Sequence, residues 1–540
     1  MMRGARKHWP LIVAILNLWG AIAIVLKLSL DKTHGHLVYA LDDAYIHMAM
    51  AKHFAEHGVW GATEYGFSST SSSPLWTLIL SATYLVFGTN QVSPFVLDVI
   101  AATLILPALY FILVRYGLSW PATLLVLLVT LFSAPLPGLV FTGQEHMLHI
   151  FVTLVFAYLV AQELSKAKAI SWASAPPILL ALAAVLTSIR YEGLFLVFVV
   201  CVLFVLRRRW LQSLTLGLAG IVPATAYGVI SKAHGWFWLP NPVVLKGTSP
   251  DSASVGAVAS YVWAGLGKLV TVPALLYITI AVLILFLLRW RKQGWTWQTS
   301  QILFVAFMGA TLLHLLLANV GWFYRYEAYL IVFGLLVIWA TLFEPLPVDE
   351  QNGSKKAHPV PRYAAAAILA FLILVPLRGR ATEVLAQVPQ ATGNIYEQQY
   401  QMGLFLRQFY QGAGVTANDI GAINYLADIR CVDLVGLASI ETARLILPSR
   451  SYSGADLSKL LKSKGVRIAM VYDSCFSEAL SWDWIKVGEW QIQNNVICSS
   501  DTVSFYAVEP SEKDRLAANL KRFSPRLPDD VLEGGDYLAY

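Results

Sequence analysis

Charge is what this chain lacks. Asp, Glu, Lys and Arg together make up 13% of its 540 residues, about half the share usual in soluble globular proteins. Hydrophobic residues make up 57%, more than a soluble fold of this size buries, so the chain reads as a polytopic membrane protein. Cysteine is scarce too. Cys201, Cys431, Cys475 and Cys498 build no disulfide framework, and one bridge among the last three is the most that is open. There is no GxxxxGK[ST] loop and no Rossmann glycine pattern, which argues against soluble nucleotide substrates. There is no HExxH either, so His53 and His57, although spaced like a metal pair, are expected to face solvent. The net charge of +6 is no nucleic-acid footprint. Lys and Arg collect in the cytoplasmic loops of membrane proteins, and the excess reports topology.

What the chain has instead is long apolar runs. Eleven are long enough for about 30 Å of hydrocarbon: near 11–30, 95–114, 118–136, 146–162, 172–189, 192–206, 211–230, 269–288, 300–320, 326–343 and 363–379. The first has no small-residue cleavage site and reads as a retained anchor. A twelfth run, 74–88 ("PLWTLILSATYLVFG"), is short and carries Thr77, Ser81 and Tyr84. Leaving it out of the count puts roughly twice as many Lys and Arg on the cytoplasmic side as outside, and counting it as a span reverses that bias. The expectation is therefore an all-α membrane domain over 1–380, N-terminus cytoplasmic, with residues 74–88 lying in the outer interface. Residues 381–540 fall outside. There, a helical stretch at 395–411, apolar β-type runs at 431–437, 466–472 and 503–508, and helical stretches at 455–464 and 511–521 predict a small extracytoplasmic α/β domain. The polar, Pro-rich 344–362 reads as a linker.

This topology delivers ionisable residues to one outer cavity: Asp42 and Asp43 after the first span, Glu145 and His146, Arg190 and Glu192, Asn241 and Lys246, and Arg325 and Glu327. Charges at membrane depth are costly and usually face a cavity or each other. Each has a plainer reading. One aspartate could cap a helix; Arg190 with Glu192, and Arg325 with Glu327, could be structural ion pairs. His47, one helical turn after Asp43, is either a ligand or an interfacial histidine. Taken together, a carboxylate at the outer surface can act as general base for an acceptor hydroxyl attacking a sugar carbon. Arg190, Arg325 and Lys246 could stabilise a departing lipid phosphate. Asp42, Asp43 and Glu145 could also hold a divalent cation through hard oxygen ligands.

"LDDAYIHMAMAKHFAEHG" followed by "GFSSTSSSPLWTLIL" resembles the first outer loop of GT-C superfamily glycosyltransferases, most nearly the mycobacterial terminal arabinofuranosyltransferases. "TGQEHMLH", "RYEG", "LPNPVVLKG" and "NDIGAINYLADIRCVDLVGL" are similar to later family segments in the same order. The resemblance implies inverting transfer of a sugar from a polyprenyl-phosphate donor to an extracytoplasmic glycan, lipid or protein, at the inner membrane of a bacterium. It implies a base at Asp42 or Asp43, and a substrate cavity lined by Glu145, Arg190 and Arg325. The tail is shorter than in the mycobacterial enzymes, which leaves the sugar open. The rival reading is a transporter or lipid flippase, since intramembrane charges also mark transport paths; no matching pair of interrupted spans supports it.

Overall fold

The computed structural model describes residues 2–166, 173–247, 254–345, 377–447, 453–476 and 484–540. In hydrocarbon every backbone N–H and C=O must find a partner within its own segment, so the apolar runs fold as helices. They are α1 (Met2–Lys32), α2 (Asp42–His57), α3 (Pro74–Phe87), α4 (Val92–Arg115), α5 (Trp120–Ser133), the short α6 (Leu136–Leu139), α7 (His146–Ser165), α8 (Pro177–Ile189), α9 (Gly193–Leu206), α10 (Trp210–Ala233), the short α11 (Asn241–Lys246), α12 (Val255–Thr271), α13 (Pro273–Gln293), α14 (Thr299–Leu317) and α15 (Ala328–Phe343).

Six of these, α1, α4, α7, α10, α13 and α14, are long and apolar enough to cross a membrane, and α5 with the bent segment after it would make a seventh. Helices α8, α9 and α15, with 13, 14 and 16 residues, fall short of the roughly 20 residues of a straight span. The expected run at 363–379 lies outside the described residues except for its last three. The tight α8–α9 hairpin depends on Gly193, where a Cβ would stand 2.8 Å from the Leu186 carbonyl oxygen.

The run at 74–88 forms the 14-residue helix α3, with Trp76, Leu80 and Tyr84 buried and Leu78, Leu85, Val86 and Phe87 exposed. The helix α12 was not foreseen. In α12 Gly265 is the one buried residue and Trp263 is 80% exposed. It lies against the end of α14, where Tyr261 donates to the Leu316 carbonyl (2.5 Å) and Lys268 to that of Ala318 (2.9 Å).

The tail begins with a helical run from Leu377 to Phe409. It passes without a break through residue 380, and its Thr382–Ile395 stretch packs along α1, burying Val384, Val388 and Ala391 in the core of the membrane bundle. A separate core then forms around Phe405, Trp490 and Phe505. It lies against a six-stranded sheet of β1 (Gly414–Ala417), β2 (Arg430–Asp433), β3 (Val466–Val471), β4 (Ile485–Gln491), β5 (Thr502–Ala507) and β6 (Leu532–Gly534), in the order β2-β1-β3-β5-β4-β6. Strands β2, β1 and β3 are parallel and the others antiparallel. Three strands fall where expected, although β2 stops at Asp433; β1, β4 and β6 were missed. The expected helices appear at Gly454–Ser463 and Lys513–Phe523. All four cysteines are free thiols.

Candidate active site

The loops joining α1 to α2, α6 to α7, α8 to α9, α10 to α12 and α14 to α15 converge at one end of the bundle around a cavity of about 300 Å³. Of the residues picked out in the sequence, Asp43, His47, Glu145, Arg190, Glu192, Lys246 and Arg325 line it. Asp42, His146, Asn241 and Glu327 do not.

Asp42 and Asp43 open α2 as its first two residues, and neither caps it; the position before them is Leu41. Neighbouring helix residues point about 100° apart, so the pair cannot share a direction. Asp43 faces the cavity. One of its carboxylate oxygens accepts from Arg325 Nη2, and the side chain keeps 31% of its surface exposed. Burial pushes its carboxyl up, but Lys246 and then Arg325 outweigh burial and hold it well below the usual carboxylate range. Asp42 faces the tail, where its two oxygens accept the backbone N–H groups of Gly421 (2.7 Å) and Ala422 (2.8 Å). Burial, then the charge of Asp419, pushes its carboxyl above the usual range.

Arg190 is fully engaged. It holds Glu192 in a bidentate pair (3.2 and 2.5 Å) and Glu145 at 2.5 Å, which realises the ion-pair reading of this hairpin. Glu145 is buried, and its second oxygen has no hydrogen-bond partner. Arg325 pairs with Asp43 and Gln144, and both guanidinium groups lie over the Tyr326 ring, at 5.7 and 4.8 Å. His47 contacts the hydroxyls of Thr77 (3.0 Å) and Ser71 (3.4 Å); burial lowers its pKa, so it lines the cavity as a neutral ring. Among the described residues Lys246 has no ion-pair or hydrogen-bond partner.

The four residues behind the wall have structural work. His146 contacts Gln144 (3.3 Å). Asn241 ties the loop before α11 to the tail by donating to the Gly436 carbonyl (2.7 Å). Glu327 accepts from Arg380 (2.8 Å) and from the Gly321 backbone (2.9 Å) rather than pairing with Arg325. These bonds pin a turn in which Trp322, Phe323 and Tyr324 all have left-handed φ, at 40°, 59° and 62°. Non-glycine residues rarely adopt this conformation, and surrounding contacts must hold it. Here it aims Arg325 at Asp43. His53, expected in solvent, is buried against the Gly61 carbonyl (3.2 Å), and burial pulls its pKa down to about 4.

Sequence reasoning missed Gln144, Thr70, Ser72, Tyr326, Asn319 and Leu437 on the wall. Gln144, Thr70, Ser72 and Leu437 stand inside motifs already quoted; Tyr326 and Asn319 do not. Among the described residues no group of three His, Cys, Asp or Glu is placed to hold a metal ion. In particular, Asp42 turns away from Asp43 and Glu145, so that trio does not converge.

Against known structures, ArnT from Cupriavidus metallidurans bound to undecaprenyl phosphate is 14% identical with a TM-score of 0.50, covering 92% of this chain and 98% of that one. Its apo state gives the same identity and TM-score over 94% and 99%. The chain shares the fold of ArnT. An oligosaccharyltransferase of Archaeoglobus fulgidus, in complex with zinc and sulfate, stands further off, at 11% identity and a TM-score of 0.44 over 89% of this chain and 73% of that one. The family described as "Domain of unknown function (DUF8728)" matches residues 393–506. No curated protein matches by sequence.

Within this fold the cavity is electrically balanced. Three carboxylates, Asp43, Glu145 and Glu192, face three cations, Arg190, Arg325 and Lys246. Both arginines are directly paired with these carboxylates, whereas Lys246 acts on Asp43 through its charge without a direct pair among the described residues. Apolar residues, Phe195, Leu239 and Leu317 among them, also line the cavity.

Proposed function

We propose that this protein is an inverting membrane glycosyltransferase that moves a sugar from a polyprenyl-phosphate donor to an extracytoplasmic glycan, lipid or protein. The observation that carries the reading is the single cavity in which an ionised, half-open carboxylate stands beside an unpaired lysine under an apolar rim. A prenyl phosphodiester brings one negative charge, and Lys246 is the cavity cation whose ammonium no carboxylate holds in a direct ion pair among the described residues. The fold of ArnT, crystallised with undecaprenyl phosphate, points to the same ligand class. On this reading the N-terminus is cytoplasmic, the cavity opens at the outer face of a bacterial inner membrane, and the tail is extracytoplasmic.

Asp43 serves as the base. The acceptor hydroxyl attacks the anomeric carbon from the face opposite the phosphate, and its proton passes to the free Asp43 oxygen. The bond from the anomeric carbon to the phosphate oxygen breaks, and its electron pair leaves with the phosphate beside Lys246 and Arg325. The configuration inverts. Lys246 and Arg325 hold the Asp43 carboxyl below the usual carboxylate range, which favours the ionised, accepting form.

The full chain, purified in detergent, tests this. Mass spectrometry of lipid retained by Asp43→Asn should find a polyprenyl-phosphate sugar, and its glycan fixes the donor, arabinofuranosyl or other. Given a hydroxyl acceptor for the sugar, wild-type protein should convert that lipid to free polyprenyl phosphate with no gradient present. Retention of no lipid phosphate, together with full activity of Asp43→Asn, would overturn the assignment, and a requirement for sealed, energised vesicles would favour a transporter.

A further inference from the structure

The parallel half of the tail sheet directs the carboxyl ends of its strands at the membrane cavity, the edge at which open α/β sheets bind ligands. The chain after β1 runs through Asn418 to Gly421 and meets α2. Asp42 receives the Gly421 and Ala422 amides there, and a Cβ on Gly421 would stand 2.1 Å from the Asp42 carbonyl oxygen. This approach is possible only for glycine. The chain after β2 folds into a loop braced from within. Asp433 accepts from the Val435 and Ala438 amides (both 2.8 Å) and donates its own amide to Ser439 (2.8 Å). Asn241 grips that loop at Gly436, and Leu437 packs on Ile46 and Ile420 to close the cavity wall. Two outer tethers flank these contacts, Lys52 to Asp428 (2.8 Å) and Arg444 to the Gly235 carbonyl (2.7 Å).

We infer that the domain at 393–506 is a wall of the active cavity rather than a separate module, latched by Asp42 and Asn241, with Leu437 touching the bound lipid-phosphate substrate. Asp42 is thus a positioning residue: it fixes the tail, and through the next peptide bond it fixes the direction of Asp43. The cavity-wall role rests on the proposed function, whereas the latch does not.

Backbone hydrogen exchange on the full chain in detergent reads the latch directly. Gly421→Val should speed exchange over 421–426 at least tenfold, Asp42→Asn should do so less strongly, and Asp43→Asn should leave it unchanged. Asp42→Asn should lower kcat, with undecaprenyl-phosphate affinity within threefold of wild type, and Asp42→Glu should restore part of kcat. Peptide-resolved alkylation of Leu437→Cys should slow at least fivefold when undecaprenyl phosphate is added. Unchanged exchange in Gly421→Val, or identical behaviour of Asp42→Asn and Asp43→Asn, would overturn the latch. Alkylation indifferent to the lipid would overturn the wall. Neither exchange nor alkylation needs turnover, so a failed transfer assay alone would count against the enzyme reading and not against the latch.

Discussion

The two ends of the helical bundle both gather buried arginines and employ them differently. At the end away from the cavity, Arg209 donates to the Glu163 and Lys166 carbonyls (2.8 and 2.6 Å), Arg289 to those of Thr341 and Glu344 (2.8 and 3.0 Å), and the half-buried Arg207 to that of Leu164 (3.2 and 3.0 Å). These are the orphan carbonyls at the ends of α7 and α15, and the guanidinium groups close them off. Arg209 and Arg289 add Glu163 (3.6 Å) and Glu344 (3.7 Å) to those carbonyls, whereas at the cavity end Arg190 and Arg325 are held by side chains, carboxylates and Gln144 among them, with Lys246 beside them. Satisfying backbone carbonyls consumes an arginine's donors and leaves a sealed helix end. Opposing side-chain charges across a gap leave room for a ligand to rearrange them.

The contrast breaks most sharply at the base. Asp43→Asn should cut transfer about 10²- to 10⁴-fold with the thermal unfolding midpoint near that of wild type. At the sealed end, Arg209→Met leaves buried carbonyls and Glu163 without their partner. It should cost about 3–5 kcal/mol of stability, read by chemical denaturation, while affinity for undecaprenyl phosphate stays unchanged. Lys246→Met should do the reverse, weakening that affinity about 10- to 100-fold, as losing a charged hydrogen bond of about 1.5–3 kcal/mol implies, with no loss of stability. The smallest effect concerns pH. Docked Asp42, with Asp419, Asp43 and Tyr472 around it, binds its proton more tightly than an undocked carboxylate. Docking therefore weakens as the pH rises above about 4, by at most about 1.4 kcal/mol per pH unit. Exchange at 421–426 should quicken toward alkaline pH, and Asp42→Asn should flatten that slope.

Much of the cavity was legible because its residues break a local rule: a charge flanked by apolar runs is conspicuous wherever it falls. That is why Asp43, Arg190, Lys246 and Arg325 could be named from composition and topology. The same rule also picked out Asp42, Asn241 and Glu327, since a carboxylate satisfied by a distant backbone amide looks in sequence like one facing a ligand. Leu437 escaped because an apolar residue on a loop breaks no rule. Strand β1 escaped because four residues carry too little periodicity, and α12 because all but its last three residues were left in the long loop before the run at 269–288.

The apolar runs by themselves determined that this chain is a membrane protein built of helices, because hydrocarbon leaves the backbone few other ways to pair. Their charge bias and interrupting motifs also set which loops could meet. Tertiary structure alone decided which member of the aspartate pair faces the cavity and which holds the tail. Two neighbours on a helix point in different directions, and only the partners folded against them, Arg325 for one and the Gly421 amide for the other, give those directions a meaning.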